Sequence, residues 1–152
     1  MYMKENFFDA QERKDIKHLR KLNEKVGWFK SIDPKPRFSE SDATCYTTNN
    51  RKITVELKER TQTLDTLKRW GSVFIEPQKL AHLSSVMESG FSLNENCLYV
   101  NFTSDGHCII FDFKKLDKLK FIPNHYHKNK GKGRDENESR IAIPIDKNTI
   151  II

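Results

Sequence analysis

A chain of 152 residues has room for one hydrophobic core and not for two. Its 36% apolar fraction falls in discrete runs, which argues against disorder. The 27 Lys and Arg against 21 Asp and Glu leave a formal charge of +6, a sign that suits a polyanionic partner.

Cys45, Cys97 and Cys108 are odd in number and lack CxxC spacing, so neither a disulfide framework nor a zinc finger fits them. The opening residues Met1 to Glu5 carry no apolar stretch of signal-peptide length, and no run of about 18 apolar residues occurs. The expectation is a cytoplasmic protein with no membrane partner.

Phe8, Ile16, Leu19, Leu22 and Val26 recur at helical spacing and predict a helix over Phe8–Val26, with Gly27 as its stop. Glu12 lies four residues before Ile16, so its carboxylate falls on or beside the buried face. Trp28–Ile32 reads as a short strand. The segment from Asp33 to Pro36 reads as a loop, because two prolines oppose regular pairing.

From Asp42 to Lys58 both halves alternate. Ala43 and Cys45 oppose Thr44 and Tyr46; Ile53, Val55 and Leu57 oppose Thr54, Glu56 and Lys58. Asn49 and Asn50 tolerate the positive φ of a tight turn, so a hairpin is expected. A two-residue turn would place Ala43 opposite Glu56 and mix apolar with polar on each face. A loop over Thr48–Asn50 instead pairs Cys45 with Ile53 and Ala43 with Val55, which sets Asp42 beside Glu56 on a polar face.

Downstream, Leu64–Trp70 reads as a helical turn and Ser72–Ile75 as a strand. Pro77 and Gly90 bracket a second helix with Leu80, Leu83, Val86 and Met87 as its stripe. Cys97–Phe102, a turn at Ser104 to Gly106, and Cys108–Phe113 form a further hairpin. Lys114–Arg134, and the stretch on to residue 139, reads as a basic, loosely held loop. Arg140–Ile145 reads as an edge strand, since Pro144 cannot donate to a ladder. The expected whole, residues 1–152, is a single α/β domain with an αβββαβ-type core, a central mixed sheet flanked by helices.

Two carboxylates one strand-spacing apart, Asp42 and Glu56, can share a hard divalent cation such as Mg2+ or Mn2+. Such an ion activates water and neutralises charge on a phosphodiester. The period of two puts Lys58 on the same face as Glu56, where it acts as a point charge. Glu12 approaching from the first helix would add a third carboxylate. Glu76, Lys79, Thr61 and Gln62 are weaker candidates for the same cleft. His125 and His127 lack a second ligand pair for zinc, and Phe111 and Phe113 read as core. In the basic segment, Lys128, Lys130 and Lys132 are the candidate phosphate contacts.

Asp42, then Glu56-Leu57-Lys58, following an amphipathic helix, resembles the PD-(D/E)xK nuclease superfamily over about Phe8–Phe113. The resemblance implies magnesium-dependent cleavage of phosphodiesters, in DNA before RNA, with Asp42, Glu56 and Lys58 as catalytic residues. It further implies Asp42, Glu56 and the backbone carbonyl of Leu57 as metal ligands. A glutamate from the first helix often assists in this family, and Glu12 is the best match. Small nucleases of this kind often form homodimers to cut both strands. Three alternatives stand beside it: a catalytically inactive nucleic-acid- or protein-binding module of the same fold, an unrelated basic interaction module, and a plain solvent-facing strand with a Lys–Glu surface pair.

Overall fold

A computed structural model of the protein describes residues 12–36, 39–88, 95–117, 120–126 and 139–152. Helix α1 spans Lys14–Val26 and ends where Gly27 adopts φ 64° and returns its N–H to Asn23 O. Its apolar stripe, Ile16, Leu19 and Leu22, is buried on one side of a sheet. That sheet begins with β1 (Phe29–Pro34), β2 (Ala43–Thr47) and β3 (Lys52–Glu59), each antiparallel to the last. Then follow α2 (Leu64–Trp70), β4 (Ser72–Ile75), α3 (Pro77–Glu88), β5 (Glu95–Phe102) and β6 (Cys108–Asp112). The chain closes with β7 (Ile122–Tyr126), β8 (Ser139–Pro144) and β9 (Ile150–Ile151).

The main sheet runs β1-β2-β3-β5-β6-β9, and a smaller one runs β4-β8-β7. β3 and β5 lie parallel over their whole length, Lys52 opposite Glu95 through Glu59 opposite Phe102. Two parallel neighbours need a crossover, and here α2, β4 and α3 provide it. The crossover packs on the face of the main sheet opposite α1. Leu67, Val73, Ile75 and Leu83 meet Cys97, Tyr99, Ile109 and Phe111 there, and Ile143 of β8 closes the cluster. The protein is therefore one α/β domain whose central mixed sheet is covered by helices on both faces. Among the described residues no helix is long and apolar enough to cross a membrane.

The hairpin register matches the expected one: Ala43 opposite Val55, Thr44 opposite Thr54, Cys45 opposite Ile53. Asn50 takes φ 63° in its turn. Three expectations and one alternative need correction. The residues from Phe8 to residue 11 lie outside the described ones, and the described helix starts at Lys14. Asp33 and Pro34 belong to β1 rather than a loop, because β1 is an edge strand and a missing donor at its end costs no ladder bond. β8 is the central strand of its sheet, not an edge, since Pro144 is its last residue, opposite Ser72. The alternative of a plain solvent-facing strand does not fit, since Thr44, Thr54 and Glu56 are all buried beneath the crossover. The pairings of β7 and β9 were not legible in advance.

Candidate active site

Asp42 stands one residue before β2, where pairing with β3 begins. Its N–H donates to Val55 O at 3.1 Å, and its carbonyl accepts from Lys35 N–H at 2.9 Å. Backbone groups of alternate strand residues point the same way. Leu57, two residues beyond Val55, therefore directs its N–H and carbonyl past the end of β2. That N–H donates to Asp42 Oδ2 at 2.8 Å. The carboxylate of Asp42 is thus clamped against β3, beside Glu56.

Glu56 points to the opposite face from Val55 and Leu57, under α3, and is only 2% exposed. Lys79, in the first turn of α3, donates to Glu56 Oε1. Glu56 Oε2 is buried with no hydrogen-bond partner. Burial pushes the Glu56 pKa up to about 7; the Lys79 bond and charge oppose this, while the Asp42 charge and a side-chain hydrogen bond with Asp42, open to the protonated form, add to it. For Lys79 the balance runs the other way. Desolvation disfavours its cation, but the Glu56 bond and the Glu56, Asp42 and Glu76 charges outweigh it and raise its pKa.

Lys58 shares the cleft with Glu56 from the rim. The residue as a whole is exposed. Even so, protein atoms crowding its ammonium, with Arg60, Arg140 and Lys79 nearby and Glu76 opposing, lower its pKa. Arg60 is anchored from the next turn of chain. Its Nε donates to Asn101 Oδ1 at 2.9 Å, and its Nη2 donates to Tyr99 Oη at 2.7 Å and to Phe74 O. Tyr99 in turn donates to Phe74 O at 2.9 Å, and burial pushes its pKa up to about 12. These groups line a cleft of about 500 Å³ between the two sheets, with Gln62, Trp70, Glu76 and Arg140 also on its wall.

Asp42, Glu56, Leu57 and Lys58 therefore converge as the sequence spacing implied. Glu12 does not join them. Its carboxylate is held by Arg20, Nε to Oε1 at 2.8 Å and Nη2 to Oε2 at 3.2 Å, because this turn of chain leads into the helix on the other face of the sheet. Arg13 reaches Asp42 instead, donating to its carbonyl at 2.9 Å and standing 3.6 Å from Oδ1. Asp15 lies near enough that Asp42 helps burial raise its pKa.

Lys79, Glu76 and Gln62 do line the cleft, whereas Thr61 lies in a separate groove beside α1. Lys128, Lys130, Lys132 and His127 lie outside the described residues. The parts played by Arg60, Tyr99, Trp70 and Arg140 were missed, as they follow from packing between the sheets rather than from spacing.

The donor set suits a hard, oxygen-preferring cation. It combines two carboxylates, one with a buried oxygen lacking a partner, and a backbone carbonyl at the same strand edge. Among the described residues no group of three or more His, Cys, Asp and Glu converges. The protein would supply the two carboxylates and the Leu57 carbonyl, with the other positions open to water and substrate. No family model matches this chain, and no curated protein matches it. The site alone carries the functional argument.

Proposed function

We propose that this cleft is the active centre of a magnesium- or manganese-dependent nuclease of the PD-(D/E)xK kind, hydrolysing phosphodiester bonds, with DNA as the favoured substrate. One observation carries the reading: the unpartnered, buried Oε2 of Glu56 beside the clamped carboxylate of Asp42, in a cleft ringed by cations. A buried carboxylate oxygen without a partner is costly unless a proton or a bound cation completes it. The helix, three-strand and crossover order, with β3 parallel to β5, also agrees with what the resemblance implies.

Asp42, Glu56 and the Leu57 carbonyl would hold the cation. When bound, it would neutralise charge on the scissile phosphate and activate a water. Lys58 and Arg140 at the rim attract and orient the phosphate backbone. Lys79 fixes the Glu56 carboxylate. Arg60, tied to three acceptors, braces the wall. The basic segment with Lys128, Lys130 and Lys132 would add affinity without sequence preference. The buried free thiols of Cys45, Cys97 and Cys108 suit a reducing cytoplasm.

A second reading draws on Lys79 and Arg13, which already set cations against Glu56 and Asp42. It is a catalytically inactive nucleic-acid- or protein-binding module in which side-chain cations have replaced the metal. Incubation of plasmid and oligonucleotide DNA with magnesium or manganese separates the two. Cleavage by the unaltered chain, lost in Asp42→Ala, supports the nuclease; tight binding without cleavage supports the second reading.

A further inference from the structure

Trp70 is 52% exposed, and of the three large hydrophobic side chains exposed among the described residues it alone lines the cleft. Its backbone is firmly held. Thr63 caps the start of α2 by accepting from Thr66 N–H at 3.2 Å, and Leu67 pins the helix to the core at 2% exposure. Gly71 then ends the helix at φ 75°, with its N–H directed to the carbonyls of Leu67 and Lys68. Gly71 O accepts from Ile145 N–H at 2.9 Å, which joins this corner to the residue that follows β8. A tryptophan ring normally adds to the core by burying its large apolar surface. Here a rigid corner holds the ring in water, on the wall that also carries Glu56, Lys58 and Arg140.

We infer that Trp70 is a stacking platform for an unpaired nucleobase, so the cleft takes single-stranded or locally unpaired nucleic acid. This deepens the nuclease reading and rests on it for the identity of the polyanion. The charge around the ring fits a strand whose backbone follows the cations while a base lies on the indole face. Bases inside a duplex are stacked on each other and offer no free face; unpaired ones do, whatever their identity.

The test uses the full chain in metal-free buffer containing a chelator, so that nothing is cut, with a thymidine oligonucleotide and a blunt duplex as probes. Tryptophan emission reports stacking, and fluorescence anisotropy of a dye on the DNA reports affinity. The oligonucleotide should quench emission of the unaltered chain and of Trp28→Phe, but not of Trp70→Phe. Trp70→Ala should weaken oligonucleotide binding roughly 5- to 150-fold, the range measured for one base on one aromatic ring. Duplex binding should change less than about twofold, and Trp70→Phe, which keeps a ring, should lose less than Trp70→Ala.

Unchanged single-strand affinity in Trp70→Ala overturns the inference. So does an equal loss on duplex and oligonucleotide, or the absence of quenching in the unaltered chain. Metal-dependent cleavage that needs Asp42 but shows none of this quenching leaves the nuclease standing without the stacking site. Quenching without cleavage in metal leaves the stacking site in a binding module.

Discussion

The Lys79 ammonium of α3 donates a hydrogen bond to Oε1 of Glu56, joining a helix across the cleft to a carboxyl group that is 2% exposed in β3. No local sequence relation links the two. Lys79→Met removes the cation and strands the carboxylate. The expected cost near pH 8 is about 2 kcal/mol, below the range for a fully buried pair, because the Lys79 side chain is 38% exposed and Glu56 can take up a proton. Near pH 5 the neutral Glu56 needs no partner, and the cost should fall to well under ~1 kcal/mol. Thermal unfolding at both pH values checks this; an equal cost at both would show that Lys79 acts through packing alone.

The raised pKa of Glu56 fixes the sign of a pH effect. Its ordinary value is 4.5 and its folded value about 7, so between these the folded state holds a proton that the unfolded chain has lost. Stability from this group is complete below the unfolded value and is lost as pH rises to about 7, by about 3 kcal/mol in total. Glu56→Gln, neutral throughout, should flatten that decline in a series of melting temperatures. An unchanged slope would mean that Glu56 is ionised in the fold.

The same proton opposes metal. Magnesium or manganese needs the carboxylate, so affinity should rise through about pH 7 with release of close to one proton. Calorimetry in buffers of different ionisation enthalpy counts that proton. Metal binding with no proton release would place the ion elsewhere.

Removing either carboxylate should end cleavage. Asp42→Ala and Glu56→Ala should each lose more than ~100-fold, since even residues behind a metal ligand reach that scale. Lys58→Ala should lose about 100-fold in turnover, as for one removed electrostatic donor, while metal affinity stays within a few-fold. If both carboxylate variants keep full magnesium-dependent activity, the site lies elsewhere.

Arg60→Lys should destabilise the fold despite keeping the charge. The guanidinium bonds Asn101, Tyr99 and Phe74 at once, and a lysine cannot reproduce that fork. Two lost bonds at partly buried acceptors imply about 2–4 kcal/mol, visible in urea denaturation. A midpoint within error of the unaltered chain would show that water replaces the fork at no cost.

The β2–β3 hairpin was determined by sequence alone. Period-two alternation and the Asn49-Asn50 turn allow one register that keeps apolar side chains together, and that register sets Asp42 beside Glu56. α1 from Lys14, α3 behind Pro77 and the β5–β6 hairpin were legible for the same local reasons: periodicity, capping and turn chemistry. What sits over Glu56 was not. Alternation distinguishes two faces of a strand but cannot say that both are covered, and only the β3–β5 crossover brings α3 and its Lys79 onto the polar one. Glu12 fits a catalytic pattern by spacing, yet Arg20 holds it, because spacing is blind to competing partners. Pro34 reads as part of a loop and Pro144 as the mark of an edge strand, yet each ends a strand where no donor is needed. In the sequence Trp70 is only the last residue of a helical turn; the position of that helix end between two sheets leaves it in the cleft. Local rules act over a few residues and are written in the chain. Burial, ion pairing and pKa depend on neighbours far apart in sequence, and only the packed fold brings those together.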